Sequence, residues 1–250
     1  MKNSYKCLCM MATLFLLISC AGGSKTEKKD KAVSIEEHFQ LGFRAAERGN
    51  LDEAVSEYKT VLKVYPKHSR AHLNLGIVYG RQREWKKEIA EYKRAISIDP
   101  NFSEAHFNLG VAYNEKGELN EASIRYQKAL QINPNYVEAH NNLGNIYFRR
   151  GKLDEALVEY QKAIEIKPDY ARGYYNLGNV YRQKRQAEEA IASLQRALEF
   201  SPKYGEAHYN LALIYYEKKE FQLAIQHADQ AGRLGVIVDP GFLGRLKPYR

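Results

Sequence analysis

Five histidines, His38, His72, His106, His140 and His208, stand at one position of a pattern that recurs every 34 residues. Imidazoles in register are candidate metal ligands, but ligands must converge on a single ion. Equivalent side chains lie one repeat apart, and even touching helices keep about 8–10 Å between their axes. The histidines are therefore expected to be structural, on a packing face, with no metal and no cofactor. Two residues further on stand Asn74, Asn108, Asn142, Asn176 and Asn210, with Gln40 in the first unit. Two helical steps turn a side chain by about 200°, so the carboxamides point away from the histidine face. Asn inside a helix costs roughly half a kcal/mol relative to Ala, so propensity does not explain its recurrence. Each carboxamide both donates and accepts, which suits the backbone of an extended peptide. The plain alternative is that duplication copied the residue without any demand on it.

The densest polar stretch lies in the fourth and fifth units, where Asn141, Asn142, Asn145, Asn176 and Asn179 accompany Arg149, Arg172 and Arg182. Guanidinium groups bind carboxylates through two parallel hydrogen bonds, so this surface favours an extended segment carrying some negative charge. A solvated charged face without a ligand is the competing reading. No nucleophile motif or phosphate-binding glycine loop is present, and no cysteine is free for chemistry, so the chain is not expected to be an enzyme. The formal charge of +8 is spread along the sequence, and the only basic cluster is Lys25, Lys28, Lys29 and Lys31. A nucleic-acid binder concentrates its charge on one face or arm, so nucleic acid is not an expected partner.

These residues are positioned by one period. Leu41-Gly42 recurs as Leu75-Gly76, Leu109-Gly110, Leu143-Gly144 and Leu177-Gly178, and then as Leu211-Ala212. Small Ala54, Ala122, Ala156, Ala190 and Ala224 mark the middle of the units, with Glu88 the exception. Tyr58, Tyr92, Tyr126 and Tyr160 follow at a fixed distance, and Pro66, Pro100, Pro134, Pro168 and Pro202 close the first five units. Within one unit His106, Leu109, Gly110 and Tyr113 fall on one helical face, and Ala122, Tyr126, Ala129 and Leu130 make a second stripe. A proline cannot continue a helix interior, so each one ends a helical hairpin.

The pattern resembles the tetratricopeptide repeat, with His or Tyr where that family usually has Trp. The resemblance covers residues 35–238 in six in-register units: 35–68, 69–102, 103–136, 137–170, 171–204 and 205–238. It implies an all-α, right-handed superhelical solenoid of six hairpins, with the first helix of each lining a concave groove. The asparagines look like the ladder in the repeats of O-GlcNAc transferases, which grip extended substrates. The clamp that other members use for acidic C-termini needs Lys and Arg where this chain has Asn141, Glu206 and Asn210, so that mode is not expected. After the last unit, Asp239-Pro240 reads as a helix start. Phe242, Leu243 and Leu246 would then form an apolar face, making residues 239–250 a C-terminal cap.

The N-terminus has two lysines and then an apolar run, Cys7–Ile18, too short to span a bilayer. It reads as a secretory signal peptide over residues 1–19. Leu17-Ile18-Ser19-Cys20 resembles the bacterial lipoprotein box, which implies acylation of Cys20; ordinary cleavage near Ala21-Gly22-Gly23 is the alternative. Residues 20–34 read as a flexible tether. Ala21 after the cysteine implies the outer membrane, facing the periplasm. The expected function is a lipid-anchored scaffold of the cell envelope that holds another protein's extended segment. Similarity in size and build to pilus secretin pilotins suggests assembly of a pilus or secretion complex. A targeting subunit for a periplasmic hydrolase and a glycan-binding module are the alternatives.

Overall fold

The computed structural model describes residues 25–250, with side-chain surroundings from residue 35 onward. The predicted signal peptide, the lipobox cysteine Cys20 and residues 20–24 of the predicted tether lie outside the described residues. Helix α1 spans Lys25–Arg48 and packs on α2, Leu51–Val64. Four further hairpins follow: α3 Ser69–Arg81 with α4 Trp85–Ile98, α5 Ser103–Glu115 with α6 Leu119–Ile132, α7 Val137–Arg149 with α8 Leu153–Ile166, and α9 Ala171–Gln183 with α10 Ala187–Phe200. The sixth pairs α11, Gly205–Glu217, with α12, Phe221–Arg233. The chain is all-α. Helix α1 begins ten residues before residue 35, inside the stretch expected to be a tether. That stretch has no Gly or Pro after Gly23, and its four lysines, Lys25, Lys28, Lys29 and Lys31, favour helix, so nothing in it stops α1 from extending.

Each second helix packs on the first helix of the next repeat, so the hairpins stack in series. First helices also touch one another, as α1 with α3, α3 with α5, α7 with α9 and α9 with α11. The close approach within a hairpin depends on the recurring glycine. A Cβ on Gly76, Gly110 or Gly144 would lie 2.5, 2.7 or 2.7 Å from the ring of Tyr92, Tyr126 or Tyr160. The tyrosine ring thus fills the space the glycine leaves. In the sixth repeat both members change together, to Ala212 and Ala228, and both are buried. One residue in every hairpin turn has left-handed backbone: Gly49, Arg83, Gly117, Gly151, Arg185 and Lys219, with φ between 61° and 84°. Three of the six are not glycine and carry the modest steric cost of that conformation.

The stack closes as expected at its C-terminal end. Asp239 caps α13, Pro240–Leu246, by accepting from the Gly241 and Phe242 amides, and Pro240 occupies the first turn. Phe242 and Leu246 are fully buried, and Tyr209 and Tyr216 pack edge-on against Phe242.

Candidate peptide-binding groove

The recurring histidines are held inside the hairpins. His72 and His140 each place Nδ1 2.6 Å from a glutamate nineteen residues later, Glu91 and Glu159. Nε2 of the same rings meets the carbonyls of Pro66 and Pro134 at 3.0 and 2.9 Å. His38 meets Glu57 at 2.5 Å in the same way. The glutamate bond ties the two helices of a hairpin, and the carbonyl bond ties the first helix to the proline corner before it. Burial pushes the Glu159 carboxyl up, but the His140 bond and the Lys162 charge outweigh it and hold the group below the usual carboxylate range. Among the described residues no group of three His, Cys, Asp or Glu could hold a metal ion.

The asparagines lie on the side where first helices meet, and most reach across a repeat boundary. Asn74 donates to the Tyr58 hydroxyl at 3.3 Å, and Asn142 to that of Tyr126 at 3.4 Å. Asn108 instead donates to the Glu104 carbonyl one turn back, at 2.9 Å. Asn176 donates to Asn141 Oδ1 at 2.8 Å and to Asn145 Oδ1 at 3.2 Å, while the Tyr160 hydroxyl donates to Asn145 at 2.7 Å. Asn210 donates to Asn179 at 2.5 Å. Burial pushes the Tyr126 phenol up to about 12 and that of Tyr160 further, so both stay protonated at any physiological pH.

Two of the asparagines differ from expectation. Asn141 is 1% exposed and Asn210 8%, so they are tied up in the stack and do not line an open surface. The carboxamides do have a structural reason to recur: they satisfy one another and the tyrosines between repeats. Asn74, Asn108, Asn142, Asn145, Asn176 and Asn179 are half-buried and keep some surface. Asn141, Asn145 and Arg149 follow one stripe of α7 at four-residue steps, and Arg172, Asn176 and Asn179 follow one stripe of α9. Arg149, Arg172 and Arg182 are exposed, and among the described residues none makes an ion pair. Arg149 donates to Asn114 at 3.3 Å. The arrangement is a braced row of carboxamides, with Arg149 four residues beyond Asn145, Arg172 four before Asn176 and Arg182 three beyond Asn179, all exposed.

Sequence reasoning missed Tyr126 and Tyr160 as members of this network, reading them only as packing residues. It also missed the histidine–glutamate pairs, although Glu57, Glu91 and Glu159 recur nineteen residues after their histidines.

Hairpins of this length, stacked in series on glycine–tyrosine contacts, define a helical-repeat protein. The TPR repeat profile matches residues 112–150, 144–184 and 178–219, and tetratricopeptide repeat profiles match 39–102 and 91–122. The chain belongs to the tetratricopeptide-repeat family, whose members build scaffolds that bind proteins and peptides. Among solved structures it is similar to a MamA protein, with 30% identity over 69% of this chain and 94% of that one, and a TM-score of 0.60. PilF of Pseudomonas aeruginosa shares the fold at 19% identity, covering 82% of this chain and 93% of that one, with a TM-score of 0.74. YrrB, described as a TPR protein with an unusual peptide-binding site, matches at 19% identity over 76% of this chain and 97% of its own, with a TM-score of 0.63. No sequence among the curated proteins matches. Among the described residues no helix is long and apolar enough to cross a membrane.

Proposed function

We propose that the protein is a non-enzymatic scaffold that holds an extended, partly acidic segment of another protein along α7 and α9. The observation that carries this reading is the set of unpaired guanidinium groups, Arg149, Arg172 and Arg182, beside a carboxamide row fixed by its own hydrogen bonds. Bracing of that kind lowers the ordering cost of binding, because the donors are already placed. The likeness to YrrB, whose description includes a peptide-binding site, supports the same choice of ligand.

The scaffold is anchored through acylated Cys20 in the bacterial envelope, on the outer membrane facing the periplasm, and serves assembly of a pilus or secretion complex. The lipobox-like Leu17-Ile18-Ser19-Cys20 and the likeness to PilF support this part. Cys20→Ala should remove the protein from the detergent phase on phase separation; partitioning unchanged by the substitution would refute the anchor.

The groove is tested by reversing its charge. Partners are pulled down from detergent-solubilised envelopes, and their affinity is measured for the parent and for the double variant Arg149→Glu, Arg172→Glu. Capture should weaken at least about tenfold, or about 1.4 kcal/mol. The melting temperature should hold, because both side chains are exposed. Equal affinity would place the binding surface elsewhere. This test is cleaner than Asn142→Ala with Asn176→Ala, which would also cut the bonds to Tyr126, Asn141 and Asn145.

A further inference from the structure

The side of the stack opposite the first-helix contacts carries a second, unrelated feature. In the fourth repeat a pocket of about 720 Å³ opens between α6 and α8, with His140, Glu159, Lys162, Pro134 and Tyr147 in its wall. Both nitrogens of the His140 ring are satisfied, one by Glu159 and one by the Pro134 carbonyl. Thirty-four residues earlier the same positions hold His106, Arg125, Lys128, Pro100 and Tyr113, and Lys93 replaces Gln127. Nε2 of His106 still meets the Pro100 carbonyl, at 3.1 Å. Nδ1, however, is buried without a partner, on a residue only 3% exposed. The glutamate that fills this place in repeats one, two and four is replaced by Arg125.

A buried ring nitrogen left unpaired costs about 1–3 kcal/mol, so the position calls for an explanation. Lys93 and Arg125 each bring a positive charge that repeat four lacks, and Lys128 keeps the one that Lys162 carries. Lys93 Nζ lies 5.9 Å over the Tyr113 ring, and Lys93, Arg125 and Lys128 make no ion pair among the described residues. The one acid whose charge is felt at His106 is Asp99, and its Oδ1 accepts from the Asn101 amide at 3.0 Å. Burial, with Arg125 and Lys128 adding to it against the Pro100 carbonyl, holds the His106 ring below the usual imidazole range.

We infer that the third repeat has a carboxylate-binding slot, in which an aspartate or glutamate side chain of a partner protein takes the place of the missing glutamate. The carboxylate would accept from His106 Nδ1 and from the Arg125 guanidinium, with Lys93 and Lys128 at the rim. His106 takes up one proton as the anion binds, since Nε2 already donates to Pro100 and Nδ1 must then donate as well. A carboxylate is favoured over other anions because three repeats fill this place with a carboxylate at 2.5 to 2.6 Å. The slot lies on the second-helix side, so it is independent of the groove on α7 and α9.

The test follows the imidazole nitrogens by ¹⁵N NMR in the full chain, with hexaglutamate as probe and inorganic phosphate as comparison. Millimolar hexaglutamate should convert His106 Nδ1 to the protonated form and leave His140 unchanged. Arg125→Glu should give the protonated signal with no probe added, by restoring the pair inside the chain, and should weaken probe binding at least about tenfold. No change at His106 with hexaglutamate would overturn the inference. So would an equal response from His140, an equal response to phosphate, or an Arg125→Glu protein whose His106 Nδ1 stays unprotonated.

Discussion

Repeats three and four differ in one buried position far more than in backbone. His140 pairs with Glu159, while Arg125 stands at the glutamate's position in the third repeat, yet both rings keep the same bond to a proline carbonyl. The hairpin therefore does not need the histidine–glutamate pair to form. Glycine–tyrosine packing and the proline corner hold the two helices together, and the pair is an addition whose chemistry can vary. Duplication copies the geometry, and each copy can then be assigned a different charge. Repeats one, two and four are self-sufficient at this position, repeat three is open, and repeat six has a second histidine, His227, in the glutamate's place.

The largest effect should come from breaking a self-sufficient copy. Glu159→Ala leaves the His140 ring buried with one nitrogen unpaired, and should cost about 3 kcal/mol. Arg125→Ala removes a side chain that makes no ion pair and should cost well under 1 kcal/mol. Chemical denaturation of both variants checks the contrast. Equal costs would mean that the pair contributes no more than packing does.

A second contrast lies inside the second repeat. Glu88 replaces the alanine found in the other five units and is 5% exposed, with Oε2 unpaired. A Cβ on Gly80 would lie 2.7 Å from its Oε1, so that glycine is what makes room for it. Burial, and then the charge of Glu115, pushes the Glu88 carboxyl up to about 7, against the Tyr92 hydroxyl. The folded chain holds a proton there that the unfolded chain has lost above pH 4.5, so stability falls as pH rises from about 4.5 to about 7. Glu88→Gln, a neutral side chain of the same shape, should raise the melting temperature at pH 8 by the equivalent of about 1–2 kcal/mol. It should change little at pH 4.5. A gain of the same size at both pH values would show that shape, and not charge, is at issue.

The period was legible because it is carried by residues whose roles are local: glycine for close approach, proline to end a helix, tyrosine to fill the gap. Those roles need no knowledge of neighbouring repeats. The early start of α1 is not legible from composition, because a lysine-rich run without glycine suits a solvated linker and a helix equally. The groove was only half legible. Helical phase gave the side that Asn142 and Asn176 face, but Asn176 bonds to Asn141 and Asn145, and Asn142 to Tyr126, all in the preceding repeat's turn of the stack. Such partners depend on how one hairpin is rotated on the next, which no single repeat encodes. Burial of Asn141 follows from the same rotation.

The smallest expected effect separates repeat six from repeat four by pH alone. His208 Nδ1 lies 2.9 Å from His227 Nδ1, so one ring must donate and the other accept, and only one proton fits between them. Burial, and then the charge of His208, holds His227 down to about 4. A histidine with a depressed value contributes stability above its unfolded value of 6.5, and that stability is lost as pH falls towards 4. In repeat four the carboxylate of Glu159 titrates below the usual range, so its pair with His140 survives through the same interval. Moving from pH 7.5 to pH 5 should therefore loosen α11 and α12 while α7 and α8 keep their protection. Because His227 is only partly screened from water, the loss is about 1 kcal/mol, a several-fold rise in amide exchange once the intrinsic pH dependence is removed. His227→Glu converts repeat six to the arrangement of repeat four and should abolish the difference. Exchange that accelerates equally in both repeats would mean that the histidine pair does not set the acid sensitivity of the C-terminal end.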